Sequence, residues 1–291
     1  MKILTVVGAR PQFIKGATVS RAIRERDDIQ EVIVHTGQHF DRNMSEIFFE
    51  QLDIPKPDYN LGIASLAHGA MTGRMVEGIE ELLLKEHPDW VLVYGDTNST
   101  LAGALAASKL HIPVAHVEAG LRSHNAAMPE EINRIITDRI STLLFCPTER
   151  AVQNLEKEGF PFPTPTHSEQ LIENVGDVMY DAVLFYKEIA REKVSLDSFG
   201  VEENGYALCT LHRQENTDNP ERLRWILQTL REIADELPIV FPVHPRTKHK
   251  IEEIGESLDH PQIKILDPLP YLEMQRLAMS AYRILTDSGG M

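Results

Sequence analysis

Short apolar segments rich in β-branched residues alternate with amphipathic segments along almost the whole chain. The segment KILTVV at 2–7 ends at Gly8, and the apolar segment at 90–94 is followed by a polar turn and an Ala-rich helical segment at 99–110. Strands that alternate with helices through short turns predict a parallel sheet with helices packed on both faces. We therefore expect an α/β fold with a doubly wound sheet.

The predicted strands and helices form two series. The first includes a predicted helix at 43–52 and ends near residue 158, and the second begins at Tyr206. Between them lie a proline-rich loop at 160–170 and a predicted helix at 177–191. This length and pattern predict two domains, residues 1–175 and 176–291. Because no helix follows the last predicted strand to cover its apolar face, we expect the second domain to be truncated at its C-terminus.

Composition excludes several classes of partner. The 29 basic and 44 acidic residues give a net charge of −15, which argues against nucleic acid or an anionic membrane surface as a partner. No apolar segment is long enough to cross a bilayer, and no signal peptide precedes the first strand. Cys146 and Cys209 lie in strand-like segments and fit reduced core residues. The 12 histidines show no HExxH spacing, so no metal is expected. A cytoplasmic enzyme is the predicted class.

Three carboxylates are predicted to meet at one edge of the first sheet. Asp96 and Glu118 each follow a predicted strand, and Glu130 lies in the first turn of the helix that begins at Pro129. Neighbouring carboxylates raise one another's pKa and suit proton transfer in both directions. The structural alternatives are a helix cap for Asp96 and a favourable helix-dipole position for Glu130.

Basic residues follow other strands. Arg10 and Lys15 lie near the start of the first predicted helix, where backbone N–H groups favour an anion; the alternative is a solvated helix surface. No GxGxxG motif is present, so a dinucleotide is not indicated. In the second series His212 and His244 follow strands, and the turn at 287–290 is typical of anion binding.

These motifs together resemble the non-hydrolysing UDP-N-acetylglucosamine 2-epimerases along the whole chain. The resemblance rests on GARPQFIK (8–15), TGQH (36–39), YGDTNST (94–100), HVEAGLRS (116–123), MPEEINR (128–134), TLHRQEN (210–216), FPVHP (241–245) and TDSGG (286–290). It implies two Rossmann-like domains of GT-B-like arrangement and a UDP-sugar bound in the cleft between them. It also implies inversion of C2 through elimination and re-addition of UDP, without NAD or another cofactor, and a homodimer.

The resemblance assigns roles to residues. Asp96, Glu118 and Glu130 would form the acid/base set, while Arg10, Lys15 and His212 would stabilise the departing diphosphate. Ser288, Gly289 and Gly290 would bind phosphate through backbone N–H groups. The other predicted substrate-binding residues are Gln38, His39, Arg122, Arg213 and His244.

Alternatives stay open at this stage. Segments such as 46–50 and 174–179 look closer to a sister branch that acts on UDP-2,3-diacetamido-2,3-dideoxyglucuronate for surface polysaccharide synthesis. The segment at 67–72 differs from that of relatives with an allosteric substrate site. A GT-B glycosyltransferase and a sugar-nucleotide binding protein without turnover are the other candidate classes.

Overall fold

The computed structural model describes residues 1–38 and 55–288. The chain divides into two compact units, Met1–Ala182 and Val183–Met291. The division falls inside the helix Val178–Lys193, and the predicted boundary between residues 175 and 176 remains a prediction. The predicted helix at 43–52 lies outside the described residues.

In the first unit, the described strands form one parallel sheet in the order β3-β2-β1-β4-β5-β6-β7. They are β1 (Lys2–Val7), β2 (Gln30–His35), β3 (Tyr59–Asn60), β4 (Trp90–Tyr94), β5 (Val114–Val117), β6 (Leu143–Cys146) and β7 (Leu171–Asn174). The chain first extends the sheet from β1 towards β3 and then returns to add β4 on the other side of β1. In doubly wound sheets such a switch point is where ligands bind.

The helices in the described part of the first unit are α1 (Arg10–Arg24), α2 (His68–Glu86), α3 (Asn98–Lys109), α4 (Pro129–Ile140) and α5 (Glu149–Lys157). Small residues let α3 pack closely against the sheet. A Cβ on Gly103 would lie 3.0 Å from Val93 and 3.1 Å from Val6, so a larger residue there would push the helix away. This packing sets α3, and the turn before it, against the carboxyl ends of β1 and β4.

The second unit contains a smaller parallel sheet in the order β10-β9-β8-β11. Its strands are β8 (Ala207–Thr210), β9 (Ile239–Pro242), β10 (Ile263–Leu266) and β11 (Arg283–Thr286). After α6 (Val178–Lys193), its helices are α7 (Gln214–Thr217), α8 (Pro220–Ala234), α9 (Pro245–Glu253) and α10 (Tyr271–Ser280), with a 3-10 turn at Leu196–Phe199. The predicted α/β class with two Rossmann-like units is confirmed.

Two short strands were not predicted from the sequence. β3 has two residues, and β7 has the sequence LIEN with mostly exposed side chains. Both lie at the ends of the sheet, where one backbone edge has no neighbour in the described part of the chain. An edge strand needs no apolar alternation, because little of it is buried. Both cysteines are free and buried, and burial raises the pKa of each thiol to about 12.

Candidate active site

Glu118 follows the last residue of β5 in a left-handed backbone conformation, with φ of 69°. A residue with a Cβ pays about 1 kcal/mol for this conformation, and such strain is concentrated at functional sites. The Oε2 atom of Glu118 contacts Nζ of Lys15, which reaches it from α1. The two side chains are 14% and 11% exposed, so the ion pair is largely shielded from water.

The turn after β4 lies directly against this ion pair. Gly95 has φ of 64°, and a Cβ there would be 3.1 Å from Oε2 of Glu118 and 3.7 Å from Nζ of Lys15. Its N–H donates to the carbonyl of Val117 over 2.9 Å. Tyr94 and Val117 are partners in the parallel pairing of β4 and β5. The predicted placement of Asp96 and Glu118 after neighbouring strands is therefore confirmed.

Asp96 does not cap a helix, which was the structural alternative left open by the sequence. Thr97 caps α3 and accepts the N–H of Thr100 over 3.3 Å. The carboxylate of Asp96 instead contacts Nη2 of Arg134 from α4, and its side chain is 33% exposed. The backbone carbonyl of Asp96 accepts from Asn133 over 2.9 Å. Asp96 is thus a part-exposed carboxylate with a fixed cationic neighbour.

Arg134 also binds Glu131, a buried carboxylate that the sequence analysis missed. Oε2 of Glu131 accepts from Nη1 of Arg134 over 2.6 Å and from the N–H of Ser123 over 3.0 Å, and Oε1 accepts from the N–H of His124 over 2.9 Å. Burial alone raises the pKa of Glu131, but these hydrogen bonds outweigh it and lower the pKa to about 2. The spacing of Glu131 and Arg134 on one helix face was the available signal.

Glu130 occupies a different environment from its neighbour Glu131. It lies in the first turn of α4 and is exposed. Among the described residues, no hydrogen bond or ion pair involves its carboxylate. Its predicted acid/base role stays a prediction, as does the helix-dipole alternative.

Gln12 organises the turn after β1. As a result, not all the backbone N–H groups that the sequence suggested for anion binding are free. The Oε1 atom of Gln12 accepts the N–H groups of Gly8 and Ala9 over 2.8 and 2.9 Å, and its Nε2 donates to the carbonyl of Tyr94 over 2.8 Å. Those two backbone N–H groups are therefore engaged within the protein. Arg10 is half-buried, and burial lowers its pKa from the ordinary value.

Gln38 is held by α3. Its Oε1 accepts from the hydroxyl of Ser99 over 2.7 Å and from the N–H of Ser99 over 3.2 Å. Gly8 must lack a side chain here, because a Cβ would collide with the hydroxyls of Thr36 and Ser99. His39, predicted to bind substrate with Gln38, lies outside the described residues.

Arg122, predicted to contact substrate, is engaged with carboxylates of the protein, and its role in substrate binding stays a prediction. Nη1 binds Oδ2 of Asp138 over 2.7 Å, and Nε and Nη2 bind both carboxylate oxygens of Glu158 over 2.7 and 2.8 Å. The side chain is 1% exposed. Burial opposes the charge, yet the two carboxylates raise the pKa of Arg122 above its ordinary value. A guanidinium committed in this way cannot reach a ligand without breaking a buried ion pair.

His116 and Asp138 form a buried pair next to the turns that follow β4 and β5. His116 in β5 is 2.7 Å from Oδ1 of Asp138 through Nδ1 and 2.7 Å from the carbonyl of Gly95 through Nε2. Neither side chain is exposed. His116 was not predicted as a site residue, since a lone histidine in an apolar strand gives no sign of its partners.

In the second unit, Asp287 organises the residues predicted to bind the diphosphate. Its carboxylate accepts the N–H groups of His212, over 3.1 Å, and Arg213, over 2.9 Å, and lies 3.1 Å from Nδ1 of His212. Burial raises the pKa of Asp287, but these hydrogen bonds outweigh it and lower the pKa below the ordinary value. The side chains of His212 and Arg213 are both 51% exposed and remain available to a ligand.

The other residues of the second unit that were predicted to bind substrate differ in their surroundings. The N–H of Ser288 donates to the hydroxyl of Thr286 over 2.9 Å, so this N–H is not free for phosphate as predicted. Gly289 and Gly290 lie outside the described residues. His244 is exposed and caps α9, where its Nδ1 accepts the N–H of Arg246 over 3.3 Å.

Residues 1–38 and 55–288 contain neither a metal-binding cluster of side chains nor a membrane-spanning helix. No group of three or more His, Cys, Asp or Glu side chains is placed to hold a metal ion. No helix combines the length and apolar character that crossing a bilayer requires.

Comparison with known proteins identifies relatives along the chain. The family model described as UDP-N-acetylglucosamine 2-epimerase matches residues 21–291. A Pseudomonas aeruginosa protein named UDP-2,3-diacetamido-2,3-dideoxy-D-glucuronate 2-epimerase is 57% identical over 292 residues, covering 100% of this chain and 79% of that protein.

Solved structures agree with the fold. The crystal structure of Methanocaldococcus jannaschii UDP-GlcNAc 2-epimerase with UDP-GlcNAc and UDP matches with a TM-score of 0.85 and 47% identity, covering 100% of this chain and 80% of that one. The Neisseria meningitidis UDP-GlcNAc 2-epimerase bound to UDP-GlcNAc gives a TM-score of 0.87 and 31% identity, with coverages of 100% and 78%. These neighbours are GT-B-like epimerases, as the sequence analysis expected.

Proposed function

Because this chain belongs to the UDP-N-acetylglucosamine 2-epimerase family, we propose that it inverts C2 of a UDP-linked 2-acetamido hexose, converting UDP-GlcNAc to UDP-ManNAc. Epimerase activity on a UDP-sugar follows from the family and from relatives named for it. The observation that carries the proposal is the ion pair of Glu118 and Lys15, packed against the turn that leads into Asp96. This observation supports the proposal because Asp96 follows β4, which borders the switch point of the first sheet, and Glu118 follows the neighbouring strand β5.

The C2 hydrogen is only weakly acidic, so we propose that its loss is coupled to departure of UDP. A carboxylate takes the proton from C2 as the C1–O bond breaks, giving 2-acetamidoglucal and UDP. A carboxylic acid on the other side then returns a proton to C2 from the opposite face, while UDP adds back to C1. The product differs from the substrate only at C2, and no oxidant or reductant is consumed.

Asp96, Glu118 and Glu130 form the acid/base set in this proposal. The carboxylate of Glu118 lies against the ammonium of Lys15 and is largely shielded from water, so its position is fixed for proton transfer. Asp96, one-third exposed and in contact with Arg134, has access to a ligand at the same sheet edge. Glu130 can approach the sugar because it is exposed and its carboxylate makes no hydrogen bond or ion pair with the described residues.

Cations supply the electrostatic part of the proposed reaction. Departure of UDP places negative charge on the diphosphate, and preorganised donors that face developing charge are effective because they need not reorganise. In the first unit Arg10 is a candidate, and in the second His212 and Arg213 are held by Asp287 with half-exposed side chains. Gln38 and His244 complete the described candidates for substrate contacts.

A second candidate substrate is UDP-2,3-diacetamido-2,3-dideoxyglucuronate. It is favoured by the 57% identity to the Pseudomonas aeruginosa protein named for that sugar, compared with 47% to the Methanocaldococcus jannaschii protein named UDP-N-acetylglucosamine 2-epimerase. The chemistry at C2 is the same for both sugars, which differ at C3 and C6.

The two substrates can be separated by one experiment. The protein is incubated in deuterated water with each UDP-sugar, and deuterium at C2 is followed by NMR. We expect deuterium to enter one of the sugars together with formation of its C2 epimer. No deuterium at C2 of either sugar would overturn the proposal, and sugar transfer to an added acceptor without exchange would point to a glycosyltransferase.

We further propose a cytoplasmic homodimer. The two buried, unpaired thiols suit a reducing compartment. An exposed apolar stripe on α4, formed by Ile132, Ile135 and Ile136, is a candidate subunit contact. Light scattering should give twice the mass of the chain for the wild type, and Ile135→Glu should shift it towards the monomer. A monomeric wild type would contradict the dimer.

A further inference from the structure

His116 connects the sheet beneath the proposed site to the turn that precedes Asp96. Its Nε2 lies 2.7 Å from the carbonyl oxygen of Gly95. A carbonyl oxygen only accepts hydrogen bonds, so Nε2 carries a proton and donates it. The ring has no exposed surface and therefore cannot touch a substrate directly.

Asp138 connects the same histidine to the turn that follows Glu118. Its Oδ1 is 2.7 Å from Nδ1 of His116, and its Oδ2 accepts the N–H of Gly120 over 3.1 Å. Arg122 binds Oδ2 as well, over 2.7 Å. The pair His116–Asp138 thus holds Gly95, the residue before Asp96, and Gly120, two residues after Glu118.

We propose that His116, oriented by Asp138, is a positioning residue for proton transfer at C2, because it fixes the separation of Asp96 and Glu118. This role rests on the function proposed above. Two acid/base groups that serve opposite faces of one carbon must keep a set distance. A displacement of about 1 Å from the reactive geometry lowers rates by about 100-fold.

The positioning role differs from that of a general base in a way that mutation detects. A base needs a lone pair on Nε2, whereas this Nε2 must carry a proton. In Asp138→Asn, the side-chain NH2 group can donate to Nδ1 of His116 while the side-chain oxygen accepts the N–H of Gly120. This arrangement selects the neutral tautomer of His116 with the proton on Nε2. Asp138→Asn should therefore preserve the bond to Gly95, although the same change disables a histidine that acts as a base.

The test compares kcat and KM for deuterium exchange at C2, with each rate divided by the number of sites that bind UDP. His116→Phe removes both ring contacts. In His116→Asn the side chain is too short to reach the carbonyl of Gly95 but retains an N–H that can donate to Asp138. The buried carboxylate of Asp138 therefore keeps a hydrogen-bond partner. His35→Gln is the matched control, since His35 is also buried, at the end of β2.

We expect His116→Phe and His116→Asn to lower kcat about 100-fold with KM changed less than about twofold. Asp138→Asn should stay within about tenfold of the wild type, and His35→Gln within about threefold. Wild-type rates in His116→Asn would overturn the positioning role, as would an Asp138→Asn variant as slow as His116→Phe. No exchange in the wild type would instead reject the proposed function, and this role with it.

Discussion

Glu118 and Lys15 form an ion pair across 103 residues of sequence, with the carboxylate held on a left-handed backbone at the end of β5. The contact joins the helix that follows β1 to the end of a strand two positions away in the sheet. It therefore exists only when the sheet is assembled in the observed order.

Glu118→Gln should abolish deuterium exchange at C2, because the amide cannot accept the proton. UDP affinity should change less than about threefold, since the substitution keeps the shape of the side chain and leaves the diphosphate contacts intact. Titration calorimetry with UDP and NMR exchange measure the two effects. The control is Glu86→Gln, which breaks the similar pair of Lys2 and Glu86 away from the site. Loss of UDP binding in Glu118→Gln would indicate a structural role instead.

Lys15→Met tests whether this lysine serves the carboxylate or the diphosphate. The ion pair predicts that exchange falls by about 100-fold, about 2.7 kcal/mol in activation free energy, while UDP binding is nearly retained. Lys2→Met provides the comparison with another part-buried lysine and should leave exchange unchanged. A drop in UDP affinity of tenfold or more would support the role that the sequence analysis assigned to Lys15.

Gly95→Ala should be more damaging than Gly62→Ala, although the two glycines have nearly the same φ, 64° and 63°. Each alanine pays about 1 kcal/mol for the left-handed backbone. At Gly62 nothing lies within 4 Å of the added Cβ, whereas at Gly95 it meets Oε2 of Glu118 at 3.1 Å. Urea unfolding should show the shared cost, and C2 exchange should fall only in Gly95→Ala. Equal exchange in both variants would contradict the close packing of the turn.

Glu131→Gln should lower the free energy of unfolding by about 3 kcal/mol at pH 7, because it breaks a buried network with Arg134 and two backbone N–H groups. The pKa of Glu131 is lowered to about 2 in the folded protein, so its stabilising effect is complete above the ordinary pKa of about 4.3. The effect disappears as the pH falls towards 2. Urea titrations from pH 7 to pH 3 should show the difference between the two proteins shrinking.

The control for this prediction is Glu130→Gln, because Glu130 is adjacent in sequence but exposed. Its unfolding free energy should stay within about 0.5 kcal/mol of the wild type across the same pH range. A pH-independent difference for Glu131→Gln would contradict the ionised, hydrogen-bonded state of this carboxylate.

Much of the fold could be predicted from local sequence. Strands such as 2–7, 90–94 and 143–146 have the predicted bounds, since buried central strands carry continuous apolar side chains. β3 and β7 were missed because edge strands bury little. The neighbouring placement of Asp96 and Glu118 could also be anticipated, because carboxyl ends of parallel strands meet at one edge.

The partners of the site residues could not be predicted in the same way. Lys15 was assigned to the diphosphate but contacts Glu118, and Arg122 was assigned to substrate but is buried between Asp138 and Glu158. Gln12 takes N–H groups that the sequence analysis left for an anion. Each of these contacts depends on which side chains come together when the loops after different strands converge. No local sequence pattern encodes the distances between those side chains.

The sequence by itself determined the α/β class, the order of most strands and helices, the family and the edge of the sheet where carboxylates gather. These follow from periodicity and motif spacing, which act over a few residues at a time. Only the tertiary structure decided which carboxylate is buried, which cation pairs with it, and that His116 and Asp138 join the two turns beneath the site. Those choices depend on hydrogen bonds and ion pairs between residues distant in sequence, whose strength falls steeply with separation and rises where burial removes water.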